Sequence, residues 1–524
     1  MSNKLFGGVA IRKPRTNTFD LSHERKLSMN MGDLIPVLME EVVPGDKFKV
    51  NSEILLRFAP MLAPMMHRVN VYTHYFFVPS RIVFDGWEDF ITGGADGADA
   101  TVMPYTNLGD SNKSWFGKKR VGDYFGLPVL DETTVYTNSQ PINMLPFRAY
   151  QEIFNEYFRD QNLSNPVPFS KGETVSIEDV EELTTIRKRA WEKDYFTSAL
   201  PWAQRGGDVS LPIESTLSPQ YEPWSKITDQ AGSGVTAGLN ITSGPVGFEE
   251  DLNVLDGVAK NVRIENLTPE QEIDSTSVTI NELRKAVRLQ EWLEKNARAG
   301  SRYVEQILSH FGVKSSDARL QRPEYLGGGK SPVVVSEVLS TIATTGTEPQ
   351  GNMSGHGLSV GKSNTFTKSF EEHGYVIGIM SVLPRSAYQN TVERVFTKRD
   401  KFDYYWPEFA HLGEQEIYTS EIYSDLETDP LFNNWSDTWG YQSRYAEYKF
   451  RQSSVHSDFR DTLSYWHLGR QFTETPPLNE AFVTHETDDR IFAVVDPSED
   501  KLYVQIYNSI KAQRPMPQYG TPSL

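Results

Sequence analysis

The chain has 524 residues, no cysteine and a formal net charge of −18 at pH 7. Disulfides, thiolate nucleophiles and thiolate zinc sites are excluded outright. The acidic balance argues against a dedicated DNA-binding protein, although screening over about 8 Å at physiological salt leaves a local basic patch free to hold phosphate.

With 12% aromatic and 23% charged residues, the composition is that of a packed globular protein. No stretch approaches the roughly 18 consecutive apolar residues of a membrane span, so no membrane insertion is expected, and the expected place is the cytoplasm or a product of lysis. No linker marks a domain boundary.

Residues 1–26 are locally basic, with Lys4, Arg12, Lys13, Arg15, Arg25 and Lys26 against Asp20 and Glu24. Pro14 argues against regular structure there. Such a run is either a solvated tail or an arm lying on nucleic acid, where each neutralised phosphate releases counterions. Farther on, Phe48, Val50, Ile54, Leu56 and Phe58 share one parity and Lys47, Lys49, Asn51, Glu53 and Arg57 the other, which predicts a strand with one wet face. Arg68 to Val78 is so rich in β-branched and aromatic residues that the strand it predicts is covered on both faces. Ile82, Trp87, Phe90 and Ile91 then suit a short helix closed by Gly93.

Residues 92–140 are turn-rich, and Pro146 opens a helix. Phe147, Tyr150, Phe154, Tyr157 and Phe158 form its aromatic stripe, with Arg148, Glu152, Glu156 and Arg159 on the side expected to face solvent or a neighbouring subunit. From Gly206 to about Ser277 the composition shifts to Gly, Ser, Thr and acids, which predicts a long surface insertion. Thr279 and Glu282 have capping-box spacing at the start of the next helix, and SRYVEQILSHFG adds another. Gly374 to Leu383 predicts a second strand buried on both faces. Arg444–Phe450, Arg490–Val495 and Lys501–Tyr507 are expected as further strands, the last two joined across Asp496–Glu499. The closing RPMPQYGTPSL is a tether on a neighbour or a frayed end. Core strands near both ends of a chain call for long-range antiparallel closure, as in a Greek-key sandwich or jelly roll.

Catalytic motifs are wanting. GHGLSVGKS at residues 355–363 has the wrong glycine spacing for a phosphate loop and is followed by strand-like sequence where a helix is needed. The histidines are isolated, GLSVG at 357–361 has GxSxG spacing but is followed by strand-like sequence where a nucleophile elbow needs a helix, and carboxylate pairs such as Glu371–Glu372 and Asp488–Asp489 suit exposed charge. No enzyme, metal site or cofactor is expected. A jelly-roll glycoside hydrolase or a carbohydrate-binding attachment protein is the alternative.

Several long segments, in order along nearly the whole chain, resemble the major capsid proteins of the Microviridae, small single-stranded DNA phages, of the gokushovirus type. They are FDLSHERKLSMNMGDLIPVLMEEVVPGDKF at 19–48, HRVNVYTHYFFVPSRIVFDGWEDFITGG at 67–94, DYFTSALPWAQRG at 194–206, SSDARLQRPEYLGG at 315–328, FEEHGYVIGIMSVLPRSAYQ and YYWPEFAHLGEQEI. The resemblance implies a mainly β protein, an eight-stranded antiparallel viral jelly roll with large loop insertions and a few helices. It implies a virion assembled in the bacterial host cytoplasm: a small icosahedral, T=1 shell around circular single-stranded DNA. Further partners implied are a small basic DNA-packaging protein, other virion proteins and a host surface receptor. The expected organisation is a basic arm (1–26), first strands with inserted loops and helices (27–205), an insertion forming a threefold protrusion (206–278), and the remaining helices, strands and C-terminal arm (279–524). Arg12, Lys13, Arg15 and Lys26 are the expected DNA contacts.

Overall fold

The computed structural model describes residues 15–95, 98–207, 209, 227–229, 262–264, 280–300, 302–339, 353–363, 365–424, 435–486, 488–494 and 496–519. By compactness the chain divides into one unit of residues 1–205 with 294–524 and another of residues 206–293. In the second, Ile227–Asp229 pairs antiparallel with Val262–Ile264. Apart from residues 206, 207 and 209, the rest of the predicted insertion, and the Thr279 cap, lie outside the described residues.

The first unit is organised by two antiparallel sheets. Their strands are β1 (Asn17–Asp20), β2 (His23–Met29), β3 (Ile35–Val42), β4 (Lys47–Phe58), β5 (Val69–Pro79), β6 (Glu324–Pro332), β7 (Val334–Leu339), β8 (Met353–Lys362), β9 (Phe366–Ser369), β10 (Gly374–Pro384) and β11 (Leu502–Arg514). One sheet runs β1-β11-β4-β8-β7, with β2 also on β11 and β9 also on β4; the other runs β6-β5-β10-β3. Taking β1 with β2 and β8 with β9 as broken strands, successive chain segments alternate between sheets except at β5 and β6, which pair within one sheet, and this is jelly-roll order with β7 as an added edge strand. The predicted phosphate-loop mimic is simply β8.

The sheets face each other across a core in which Ile54, Leu56, Phe58, Val504 and Ile506 of one meet Val37, Val71, Met380 and Val382 of the other. Strand β4 alternates as its parity predicts, and β5 and β10 are buried almost throughout. Their double burial has a plain cause. The outer side of the second sheet is covered by a helical layer, where Phe147, Tyr150 and Ile153 pack on Phe76, Val78, Ile377 and Ile379. Gly378 is required inside this apolar run, because a Cβ there would lie 2.9 Å from both Leu38 Cβ and the Tyr75 ring.

A buried polar chain ties the sheets together. The Tyr75 hydroxyl donates to Ser52 Oγ at 2.5 Å, Ser52 Oγ donates to Asn508 Oδ1 at 2.6 Å, and Asn508 Nδ2 donates to the Val37 carbonyl at 3.0 Å. Each of Ser52, Tyr75 and Asn508 is fully buried, so a lost partner strands a polar group away from water. Asn508→Leu is expected to cost about 2–3 kcal/mol, read as a lowered thermal midpoint of the unassembled subunit. An unchanged midpoint would show that the chain of bonds contributes nothing net.

Five expectations need correction. Residues 444–450 are no strand: Tyr445 takes φ +62° and Ala446–Lys449 is a helical turn. Of the strand expected at 490–495, the described residues 490–494 make a turn in which Phe492 bridges Met61, and no ladder joins them to Lys501–Tyr507 across Asp496–Glu499. Strand β11 instead runs on to Arg514 and pairs with β4, β1 and β2, because its alternating apolar residues fill the sandwich core. The N-terminal arm is regular from Asn17 onward, since β11 offers β1 and β2 a ladder that overrides local propensity.

Arg148 is the fourth. Helix α1 (Leu145–Ile153) has no solvent side at this position, because α2 (Ile177–Thr184) and the segment before it form a further layer. Its guanidinium is fully buried and donates to the carbonyls of Val83, Gly172 and Thr174 at 3.2, 2.9 and 3.5 Å. The stripe continues past α1 through a wider turn, in which Arg159 N–H bonds back to the Phe154 carbonyl. The predicted helix at 82–91 is two short ones, Ser80–Val83 and Trp87–Thr92, the second ended by Gly93 at φ +78°. Helix α3 (Tyr303–Phe311) ends as expected at Gly312, φ +68°.

Candidate nucleic-acid interface

Three of the four sheet faces are covered, two by each other and one by the helical layer. The outward face of the β11–β4 sheet is the wet one predicted by parity. On β4 it presents Lys47, Lys49, Glu53 and Arg57, and on β11 Tyr503, Gln505, Tyr507, Lys511 and Gln513, all exposed. The antiparallel register sets Lys49 opposite Lys511 and Arg57 opposite Tyr503. With Lys26 and Lys362, six cations on this face stand against the carboxylates Asp20, Glu24 and Glu53.

All three carboxylates are engaged, Glu24 by the Gln505 side-chain amide at 3.3 Å. Glu53 bonds Lys362 at 2.7 Å. Hydrogen bonds from Ser22 hold the Asp20 carboxyl below its usual range, with Lys511 adding to the effect. Like charges set directly across a ladder are destabilising, and although Asp20 faces Lys511 from the other side, the Lys49–Lys511 pairing leaves a cation in excess that suits an anionic partner. Exposed Tyr503 and Tyr507 stand on the same face, and rings beside cations are what single-stranded bases stack on.

Of the predicted contacts, Lys26 is exposed on β2 opposite Gln505, and Arg15 is exposed just before β1. They lie toward opposite ends of β11, because Asn17 pairs with Arg514 at the other end. Arg12 and Lys13 lie outside the described residues. Arg25, from the same basic run, turns inward and donates to the Tyr124 carbonyl at 2.7 Å. Sequence reasoning did not single out Lys47, Lys49 and Lys511 as contacts. The parity of β4 already put Lys47 and Lys49 on the wet face, but only pairing brings Lys511 beside them.

A cleft of about 940 Å³ lies on the covered side, lined by Phe158, Arg189, Arg302 and others. Its carboxylates are each held by a cation: Asp160 by Lys193, Glu305 by Arg302 at 3.6 Å, and Asp317 by Arg322 at 2.9 Å. That arrangement suits structural ion pairing and not an acid poised to donate a proton. Among the described residues no group of three metal-ligating side chains converges, and no helix is long and apolar enough to cross a membrane.

Comparison with known proteins gives a concordant result. A family model described as capsid protein (F protein) matches residues 9–524. The chain is 37% identical to capsid protein VP1 of Chlamydia phage 1, over all of this chain and 98% of that protein. It is 34% identical to capsid protein VP1 of Bdellovibrio phage phiMH2K, over 96% of this chain and 95% of that protein. Capsid protein VP1 of Spiroplasma virus 4 is 29% identical over 96% and 94% respectively. With its sandwich of jelly-roll connectivity and matches that run end to end, the chain belongs to the capsid protein (F protein) family of the Microviridae.

Proposed function

We propose that this structural capsid protein closes with copies of itself into a small icosahedral, T=1 shell around circular single-stranded DNA, the outward β11–β4 face turned toward the DNA. The observation that carries the orientation is the excess of cations on that face of a chain whose net charge is −18. A chain so acidic cannot neutralise packaged DNA by itself, so a separate, strongly basic packaging protein belongs in the particle with the other virion proteins. Assembly takes place in the bacterial host cytoplasm. Residues 206–278 are the proposed threefold protrusion that meets a host surface receptor, on the strength of their Gly, Ser, Thr and acid-rich composition. The role is structural, with no enzymatic step.

Charge removal tests the DNA face. Particles carrying Lys47→Gln, Lys49→Gln and Lys511→Gln are compared with particles carrying Arg12→Gln, Lys13→Gln, Arg15→Gln and Lys26→Gln. Each lost phosphate contact is expected to lower the salt slope of DNA retention by about 0.7, hence roughly 2 for the triple variant. Unchanged retention and slope in both sets would remove DNA from this face and from the arm.

A further inference from the structure

The cleft of about 940 Å³ on the covered side takes no part in the surface proposed for DNA. Four separate stretches supply most of its lining: the outer side of β5 at His74 and Phe76, the turn after α1 at 157–162, residues 189–193, and residues 297–305 at the entry to α3. Tyr325 of β6, 45% exposed, also lines it, with its ring centroid 5.5 Å from that of Phe76 and 6.1 Å from that of His74.

The charge of this cleft runs against that of the whole chain. Seven lysines and arginines line it beside three carboxylates, in a protein of net charge −18. Lys193, Arg302 and Arg322 already engage the three carboxylates, and Glu414 engages Arg298. Arg159, Arg189 and Lys314 remain, and among the described residues no carboxylate comes within ion-pair distance of them. His74 adds no charge at neutral pH, because burial pulls its imidazole down to about 4. Arg189 Nη1 donates to Ser381 Oγ at 2.8 Å, and its guanidinium lies 4.2 Å from the centre of the Tyr72 ring. Arg159 Nη1 donates to the Ser164 carbonyl at 2.6 Å, while the Nε atoms of Arg159 and Arg302 are buried without an acceptor among the described residues. Burial holds the Arg159 guanidinium below its usual value, and the neighbouring Arg302 pushes the same way. Gathering like charges away from water costs stability unless an opposite charge meets them.

We propose that this cleft binds a nucleoside di- or triphosphate, its phosphates among Arg159, Arg189 and Lys314 and its base against Tyr325. Three uncompensated cations call for a ligand of about that many negative charges, which a phosphate chain carries and a single carboxylate does not. Guanidinium forks match phosphate oxygens in pairs, and the volume falls within the range of about 300–1,000 Å³ usual for small-molecule sites. A half-exposed ring beside cations gives the base a face to stack on. The occupant is a free nucleotide and not the packaged strand, because the cleft opens on the face of β5 that packs with the helical layer, away from the β11–β4 sheet. The proposal does not depend on the capsid reading, and its failure leaves that reading untouched.

The test is titration calorimetry of the full chain with ADP, with pyrophosphate, and with a thymidine oligonucleotide. ADP is expected to bind more tightly than pyrophosphate, and less tightly as salt rises. Arg189→Gln is expected to weaken ADP binding at least about tenfold, and Lys314→Gln about threefold. Lys314 is exposed, so its variant folds and decides alone should Arg189→Gln misfold. No heat with ADP at about 1 mM, or equal affinity in the folded variants, would overturn the proposal. Pyrophosphate binding as tightly as ADP would remove the base from Tyr325. Displacement of ADP by the oligonucleotide at lower nucleotide concentration would give the cleft to the DNA strand and overturn the free-nucleotide reading, whereas an oligonucleotide without effect supports it.

Discussion

Replacing Arg148 by Met is expected to destabilise the subunit by about 3–5 kcal/mol, enough to remove much of a typical margin of 5–15 kcal/mol. The side chain is fully buried and serves three carbonyls, those of Val83, Gly172 and Thr174. Burial pulls its guanidinium down to about 10, with Asp179 and Asp85 acting in the opposite sense, so it stays charged at neutral pH. Methionine fills the space but leaves those carbonyls without donors in the layer that covers the second sheet. Lysine is no rescue, because a single ammonium cannot present the planar fork that reaches separate acceptors. Thermal unfolding of the unassembled subunit and soluble yield are the readouts. A midpoint unmoved by Arg148→Met would mean that the helical layer does not depend on this side chain.

Acid is expected to weaken the subunit through His485. This ring is 2% exposed, packs tilted against Trp191 with centroids 4.5 Å apart and lies so close to Gly32, φ +86°, that a Cβ there would fall 2.5 Å from its Nδ1. Burial pushes the imidazole down to about 3, with Lys188 and Arg470 adding to the fall. Its folded value is below the unfolded value, so the unfolded chain binds more protons as pH drops. The stability contribution is therefore complete above about 6.5, declines as pH falls, and amounts to a loss of about 3 kcal/mol by pH 4. His67 and His74, each lowered to about 4 chiefly by burial, act in the same direction. Asp33 acts in the other, because burial raises its carboxyl to about 6 and the folded state gains a proton below that. Comparison of His485→Leu with the unaltered protein isolates the histidine. The variant is expected to lose less stability between pH 6.5 and 4, and parallel pH profiles would show that His485 is not titrated on unfolding.

The elements legible in the sequence are those whose cause is local. The parity of Lys47–Phe58 states which side of β4 is wet, and the apolar runs of β5 and β10 state that both their sides are covered. The turn at 444–450 is not legible because Tyr445 adopts a left-handed conformation, anchored by Gln415, that no β-branched or aromatic pattern announces. The burial of Arg148 is hidden from the sequence for a similar reason. A helix position opposite an apolar stripe is wet only if nothing else packs there, and here α2 and its approach do.

By itself the sequence determined that this is a mainly β protein without thiol chemistry, that three strands have the faces they have, and that the chain is built like a Microviridae capsid protein. Those properties follow from composition, from side-chain parity and from motifs kept in order. Tertiary structure alone decided that β11 lies between β4 and the N-terminal strands, that Lys511 stands beside Lys49, and that the rings of Tyr405 and Tyr448 meet Tyr445. Pairing between segments more than four hundred residues apart is set by which register fills the common core, and no local pattern encodes that choice.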